Sequence, residues 1–356
     1  MRRYMVFVLL TAGALGMFSA CRDNRRAGDV VLATPTQRAG TVAEAPLHEG
    51  GQIRTGLGVI TSLAGSRSAT AGSDGLAQVD STLVAVTIDE NGVITRAGFD
   101  AAQTRIGFDA RGQITSDLSA PIMTKSELGD AYNMRRVSGI GREYHEQMAA
   151  LESWARGRTP AQFLSMALNN GRPAAADLTA SVTVNISGFL AAMEPAVANA
   201  RLGNAAGEHR TGLGVVTDVG ASRSATSEQL GRARVTSHYA VLTLDQNNRI
   251  VAAWIDSSQS EVEFDSAGNL RALPEASPTR YELGDRYGMR QASPIGREWN
   301  EQMRDFAQWM IGRTPAEVVG MGLNNGRPSG ADLTASVTVN IVSALAAVAR
   351  AAENAR

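Results

Sequence analysis

The ten residues Ala176-Asp177-Leu178-Thr179-Ala180-Ser181-Val182-Thr183-Val184-Asn185 return unchanged as Ala331-Asp332-Leu333-Thr334-Ala335-Ser336-Val337-Thr338-Val339-Asn340. An identity of that length within one chain marks an internal duplication, which has to be recognised before any local motif is read. Working outward, Arg54-Thr55-Gly56-Leu57-Gly58-Val59 recurs as Arg210-Thr211-Gly212-Leu213-Gly214-Val215, and Ser66-Arg67-Ser68-Ala69-Thr70 as Ser222-Arg223-Ser224-Ala225-Thr226. Glu127-Leu128-Gly129-Asp130 matches Glu282-Leu283-Gly284-Asp285, and Ile140-Gly141-Arg142-Glu143 matches Ile295-Gly296-Arg297-Glu298. The spacing is 156 at the start of the copies and 155 at their end. Each copy has the size of one domain, so the pattern predicts two globular domains, 51–200 and 205–356, each able to fold alone, and not a solenoid of short repeats.

Within a copy the first half reads as strand. Residues 83–88 and 239–244 are β-rich apolar runs followed by the turn signals Asp89-Glu90-Asn91-Gly92 and Asp245-Gln246-Asn247-Asn248. Residues 94–100 and 250–256 form the returning strands, and third turns fall at 109–112 and 265–268. Residues 141–156 and 296–311 carry apolar side chains at helical spacing and end near Gly157 and Gly312. Thr159-Pro160 and Thr314-Pro315 cap a further short helix, and a last helix is expected at 187–200 and 343–355. Antiparallel strands followed by helices make the class α+β.

At the other end, Arg2 and Arg3 precede an apolar run at 4–20 and then Cys21, the pattern of an export signal. Phe18-Ser19-Ala20-Cys21 resembles the lipobox of bacterial lipoproteins, so 1–20 is expected to be cleaved and Cys21 to carry lipid. Cys21 is also the chain's single cysteine, which excludes disulfides and thiolate sites elsewhere. Residues 21–50 lack periodicity and read as a flexible tether to the membrane, on its extracytoplasmic face. Formal net charge is -1, leaving no basic field for nucleic acid.

The familiar catalytic constellations fail in turn. His145-Glu146-Gln147-Met148 starts like a zinc-protease helix but lacks the second histidine, and its counterpart in the other copy is Asn300. His48, His209 and His238 stand without a second ligand at metal spacing. Gly56-Leu57-Gly58 lacks the third glycine of a dinucleotide fingerprint and reads as tight backbone before a strand. Lys125 is the sole lysine, so no lysine nucleophile exists in the second copy. Neither a catalytic residue nor a metal ligand is expected.

What remains is the repeated block, in which Asp177 and Asp332 lie six residues before Thr183 and Thr338. It resembles the acceptor motif Asp-x-x-Ser-Gly-Ala-Thr of covalently flavinylated proteins, with Ala180-Ser181-Val182 and Ala335-Ser336-Val337 at the middle positions. The flanks carry the resemblance further: Arg280-Tyr281-Glu282-Leu283-Gly284-Asp285-Arg286-Tyr287-Gly288-Met289, Ser293-Pro294-Ile295-Gly296-Arg297-Glu298-Trp299 and Arg313-Thr314-Pro315-Ala316-Glu317. These are similar to the FMN-binding domain family, in particular extracellular flavin-carrying lipoproteins of the PplA type. That family is related to the flavin-bearing subunits of Rnf and of sodium-pumping NADH:quinone oxidoreductase.

The resemblance implies up to two covalent FMN groups, on Thr183 and Thr338, attached by a separate magnesium-dependent flavin transferase. It implies an extracellular electron carrier that passes electrons from a membrane donor outward, with a flavin-dependent reductase as a variant of the same reading. Asp177, Asp332, Ser181 and Ser336 belong to the acceptor block, and Tyr132, Tyr287, Met134 and Met289 are candidate walls for the flavin ring or plain core residues. A helix starting just after each threonine would offer its N-terminus to the phosphate. The alternative is a lipoprotein that binds a ligand or surface partner without redox chemistry.

Overall fold

The computed structural model describes residues 51–205, 207–274 and 277–356. The expected signal segment 1–20, Cys21 and the tether to residue 50 lie outside the described residues. The described residues form one compact unit, of mixed α+β class with antiparallel sheets.

Three long strands open the first copy: β1 (Gly51–Ser62), β2 (Gly75–Asp89) and β3 (Ile94–Phe108). They are antiparallel neighbours, and Val59 of β1 faces Leu83 of β2 while Val84 of β2 faces Phe99 of β3. The turn expected at 89–92 is an Asx turn, in which Asp89 Oδ1 accepts from the N–H groups of Asn91 at 2.9 Å and Val93 at 2.8 Å. Helices α1 (Tyr144–Ala155) and α2 (Pro160–Leu164) follow. Thr159 caps α2 as expected, its Oγ1 accepting from Gln162 N–H at 3.2 Å. A small hairpin of β4 (Leu168–Asn169) and β5 (Arg172–Pro173) leads to α3 (Ser187–Ala198). Its turn residues Asn170 and Gly171 both have positive φ, 49° and 78°, which suits an Asn-Gly pair.

Strand β6 (Arg201–Ala205) then pairs with β1, giving the sheet order β3-β2-β1-β6. The same order of elements repeats: β7 (Arg210–Asp218), β8 (Gly231–Leu244) and β9 (Ile250–Phe264) form a second sheet. Short helical turns α4 (Arg280–Leu283) and α5 (Met289–Ala292) precede α6 (Trp299–Met310) and α7 (Pro315–Val319). The hairpin of β10 (Leu323–Asn324) and β11 (Arg327–Pro328), the turn α8 (Ala331–Thr334) and α9 (Val342–Glu353) complete the chain.

Glycines 56 and 58 explain how the last helix seats. They lie inside β1, not before a strand as expected, and a Cβ on either would overlap the carbonyl oxygens of Ala196 and Ala192 on α3. Gly212 and Gly214 hold the same place under Ala351 and Ala347 of α9. The Gly-Leu-Gly pair therefore lets a helix lie on the strand at backbone contact.

Alternation along β2 separates two cores. Val84, Val86 and Ile88 pack under α1, α2 and α3 with Met148, Phe163 and Ala192. Leu83 and Ala85 point the other way, into a cluster with Leu213, Tyr239, Val241 and Trp254 of the second copy. The run 83–88 is therefore buried at every position, with Thr87 as its one polar member, because both faces of the strand are covered.

The contacts between copies are reciprocal. Ala69 N–H donates to Gly268 O and Ala225 N–H to Gly112 O, both at 2.8 Å. Phe108 stacks on its counterpart Phe264 with centroids 4.0 Å apart. The hydroxyls of Thr55, Thr87, Thr211 and Thr243 form a buried ring, with Thr55 to Thr243 at 2.7 Å and Thr87 to Thr211 at 2.8 Å. Related residues thus meet across a pseudo-twofold axis, as in an isologous dimer.

Each copy keeps a helix-facing core of its own, while the sheet-to-sheet face is shared. Halves produced separately, 51–205 and 207–356, are expected to fold and then to pair one to one, because each buried Leu, Val or Trp at that face contributes about 1.5–3 kcal/mol. Size-exclusion mass and melting of the halves, alone and mixed, check this. Halves that stay monomeric when mixed would show the shared face to be of little consequence.

Candidate functional site

Thr183 sits in an irregular turn between the hairpin and α3, with Val182 beside it buried in the helical core. The Val-Thr-Val run is neither a strand nor the start of the helix. Helix α3 begins four residues past the threonine, where Asn185 Oδ1 accepts from Ser187 N–H at 2.9 Å. The N–H groups expected to face a phosphate directly after Thr183 are therefore not helical ones. Thr183 N–H instead donates to Gln147 Oε1 at 2.8 Å, and Thr183 Oγ1 lies 3.3 Å from the same oxygen.

Gln147 is fully buried on α1 and joins three segments. Its Nε2 donates to Ser138 Oγ at 3.3 Å and to Arg142 O at 3.2 Å. Gln302 repeats the arrangement, accepting from Thr338 N–H at 2.9 Å and donating to Ser293 Oγ at 3.3 Å and Arg297 O at 3.1 Å. Glu143, buried at the start of α1, accepts from the N–H groups of Met134 at 2.8 Å and Arg135 at 2.9 Å. Glu298 does the same for Met289 at 3.0 Å and Arg290 at 2.8 Å. A carboxylate at a helix N-terminus is favoured by the helix dipole, and here it pins the loop that carries Tyr132 and Met134.

These ties shape a cavity of about 700 Å³ in the first copy, within the range of small-molecule sites. Thr183, Tyr132, Met134, Tyr144, Phe189 and Lys125 line it. Lys125 Nζ lies 5.5 Å from the Tyr132 ring centroid and 5.6 Å from that of Tyr144, in cation-π range. Arg172, from the hairpin, also faces the cavity. In the second copy Arg280 stands over Tyr287 and Trp299 at 5.2 and 5.7 Å.

Of the residues singled out in the sequence, Thr183, Tyr132 and Met134 come together at this cavity. Asp177 and Ser181 are not among its lining residues. Asp177 Oδ2 accepts from Trp154 Nε1 at 2.8 Å and pairs with Arg158 at 3.1 Å, and Ser181 Oγ donates to Leu178 O at 3.2 Å. Asp332 pairs likewise with Trp309 and, at 3.3 Å, with Arg313, while Ser336 Oγ donates to Leu333 O at 3.3 Å. Both acids are exposed and tie the acceptor turn to the C-terminal ends of α1 and α6. Gln147, Gln302, Glu143, Glu298 and Arg172 escaped the sequence reading. The signal for the glutamines was the identity of Glu-Gln-Met at 146–148 and 301–303, beside a position where His145 and Asn300 differ, and that for Glu143 and Glu298 was the repeated Ile-Gly-Arg-Glu that ends on them.

A carboxylate stands next to the cavity-lining Ala101 in the first copy, and another stands at the corresponding place in the second. Asp100 Oδ1 accepts from Ala101 N–H at 2.8 Å and Ser126 N–H at 3.1 Å, and Asp256 Oδ1 from Ser257 N–H at 2.7 Å and Tyr281 N–H at 3.1 Å. Burial raises Asp256 from 3.8 to about 7 against the opposing hydrogen bonds of Thr279, Ser257 and Tyr281, with Glu282 raising it further. Arg201 and Tyr239 also face it. The folded state then holds a proton on Asp256 that the unfolded chain has released, so this group's contribution to stability is full at low pH and is lost as pH rises from about 4 to about 7. Asp256→Asn is expected to flatten that slope, which amounts to at most about 4 kcal/mol. Urea melts at a series of pH values check it, and an unchanged slope would place the titration elsewhere.

Among the described residues no group of three or more His, Cys, Asp or Glu could hold a metal ion, and no helix is long and apolar enough to cross a membrane. No protein-family model, curated protein or solved structure matches the chain.

Proposed function

We propose that the chain is a lipid-anchored electron carrier of the FMN-binding type, with one FMN linked through its phosphate to Thr183 and another to Thr338. The observation that carries this reading is the meeting of Thr183 with Tyr132, Tyr144, Met134 and Phe189 around one cavity. Aromatic and thioether side chains suit the flat face of a flavin ring, and Lys125 and Arg172 supply positive charge for an anionic group. The residues present thus fit FMN. The flavin supplies reversible two-electron redox chemistry when bound.

The chain's own part is positioning. Gln147 and Gln302 hold the acceptor threonines through the backbone and so fix where each hydroxyl stands. Among the described residues each hydroxyl meets an amide oxygen, Thr183 Oγ1 with Gln147 Oε1 and Thr338 Oγ1 with Gln302 Oε1, which fits an acceptor modified by a separate, magnesium-dependent flavin transferase. A covalent link keeps a cofactor from being lost by dilution outside the cytoplasm. Electrons would come from a membrane donor and leave to an acceptor outside. A non-redox ligand- or partner-binding lipoprotein is separated from this reading by visible absorbance of the matured protein: yellow in the carrier, colourless in the binding module.

The anchor is tested on its own. Cys21→Ser is expected to abolish acyl labelling and release the protein from membranes. A wild-type chain without acyl label, with a variant that still fractionates with lipid, would contradict it.

A further inference from the structure

Two contacts break the reciprocity between the copies. Arg350, on α9, donates from Nη1 to the carboxylate oxygens of Glu127 at 3.1 and 3.3 Å and to Val215 O of β7 at 2.6 Å. Arg356, just past α9, forks onto Glu152 of α1, its Nη2 lying 2.8 and 2.7 Å from the two oxygens. The Glu152 side chain is only 12% exposed, a setting in which a bidentate arginine pair holds its geometry. The converse contacts cannot form, since the counterparts of Arg350 and Glu152 are Pro195 and Ala307. Arg201, the counterpart of Arg356, lies instead over the Trp254 ring at 3.6 Å.

Both carboxylates belong to elements that wall the first cavity. Glu127 closes a turn with Thr124: its carboxylate accepts from Thr124 N–H at 2.8 Å, and its own N–H donates to Thr124 Oγ1 at 3.2 Å. Lys125 lies inside that turn, its N–H donating to Ala101 O at 2.8 Å and its ammonium beside the rings of Tyr132 and Tyr144. Just before the turn, Ile122 bridges to Thr217 of β7. The segment that carries Lys125 is thus laid between β3 of its own copy and β7 and α9 of the other. Glu152 is on α1, the helix whose Tyr144 lines the cavity and whose Gln147 holds Thr183.

We infer that the second copy completes the first copy's ligand site: Arg350 and Arg356 are positioning residues that hold Lys125 and α1 at a cavity which neither of them lines. The inference takes its functional meaning from the flavin reading and rests on it there, but the geometry is that of the unmodified chain. One planar guanidinium at position 350 joins a helix, a strand carbonyl and the Glu127 turn, which a flexible point charge would do less firmly. Without it the turn keeps its own Thr124 bonds but loses its hold on the second copy, and local opening of the segment becomes easier.

The test is lysine-selective acylation of full-length protein without flavin, read by peptide mass at Lys125, the sole lysine of the chain. Arg350→Gln is expected to speed acylation about two- to fivefold, the population shift that one such ion pair controls. Arg350→Gln combined with Arg356→Gln is expected to speed it further. Arg234→Gln, which removes an ion pair with Glu261 inside the second copy, is expected to leave the wild-type rate. Where the arginine variants do not fold, Glu127→Gln removes the charge while its amide oxygen still accepts from Thr124 N–H, and the same acceleration is expected. A wild-type or slower rate in the folded Arg350 or Glu127 variants, or equal acceleration by Arg234→Gln, overturns the inference and leaves the flavin reading untouched. The FMN mass on Thr183 decides that reading separately.

Discussion

Thr183→Ala and Thr338→Ala are each expected to remove one FMN if the proposed attachment holds, and the double variant is expected to emerge colourless from cells that hold a flavin transferase. The effect is complete because the phosphoester needs the hydroxyl itself, and the neighbouring Ser181 hydroxyl is turned toward Leu178 O. The fold is expected to survive. The strong bond to Gln147 comes from Thr183 N–H at 2.8 Å, which alanine retains, while the hydroxyl contact at 3.3 Å is the weaker of the two. Its loss costs about 1 kcal/mol. Visible spectra beside thermal melts separate the two effects: full colour in the double variant would contradict the assignment, whereas colour lost together with the fold would show only that the turn is structural.

Gly58→Val or Gly214→Val is expected to have the largest effect on stability. The new Cβ would occupy the space of a helix carbonyl, Ala192 O or Ala347 O, and a carbonyl cannot swing aside as a flexible side chain can. The helix would have to lift from its strand along its length, opening the core that contains Met193 and Ala196 or Val348 and Ala351. Overpacking of this kind costs about 3 kcal/mol or more. A fall in Tm of roughly 2–4 °C per kcal/mol, or failure to accumulate folded protein, is the expected readout. A Tm within a degree of wild type would mean that the helix does not seat on the glycines.

Local signals carried most of the secondary structure. Turn residues at 89–92, the Thr159-Pro160 cap and the helical spacing at 141–156 are written in short-range chemistry, and the structure has each of them, the helix itself running over Tyr144–Ala155. The strands run longer than the apolar runs that signal them, since β2 extends back to Gly75 and β3 on to Phe108 through alternating polar residues. Burial of 83–88 on both faces is legible in its composition, but the cover on the second face is the other copy's sheet, a long-range fact. The last helix starts at Ser187 as expected, so Thr183 lies one turn short of it, in a turn whose Val182 and Ile186 are buried.

The site divides in the same way. Thr183, Tyr132 and Met134 were legible because the repeated motifs carry them, and they share the cavity. Gln147 was not, since a buried glutamine bonded to residues 36 positions away leaves no local pattern. Asp177 was legible as part of the block, yet it meets Trp154 and Arg158 instead of the cavity.

The most direct test of the central claim is the intact mass of the full-length wild-type protein, matured in cells that export FAD and hold a flavin transferase shown to modify a known acceptor. A mass raised by two FMN, lowered by one in each single threonine variant, is the expected result. An unmodified wild-type mass beside a fully modified control acceptor would contradict it.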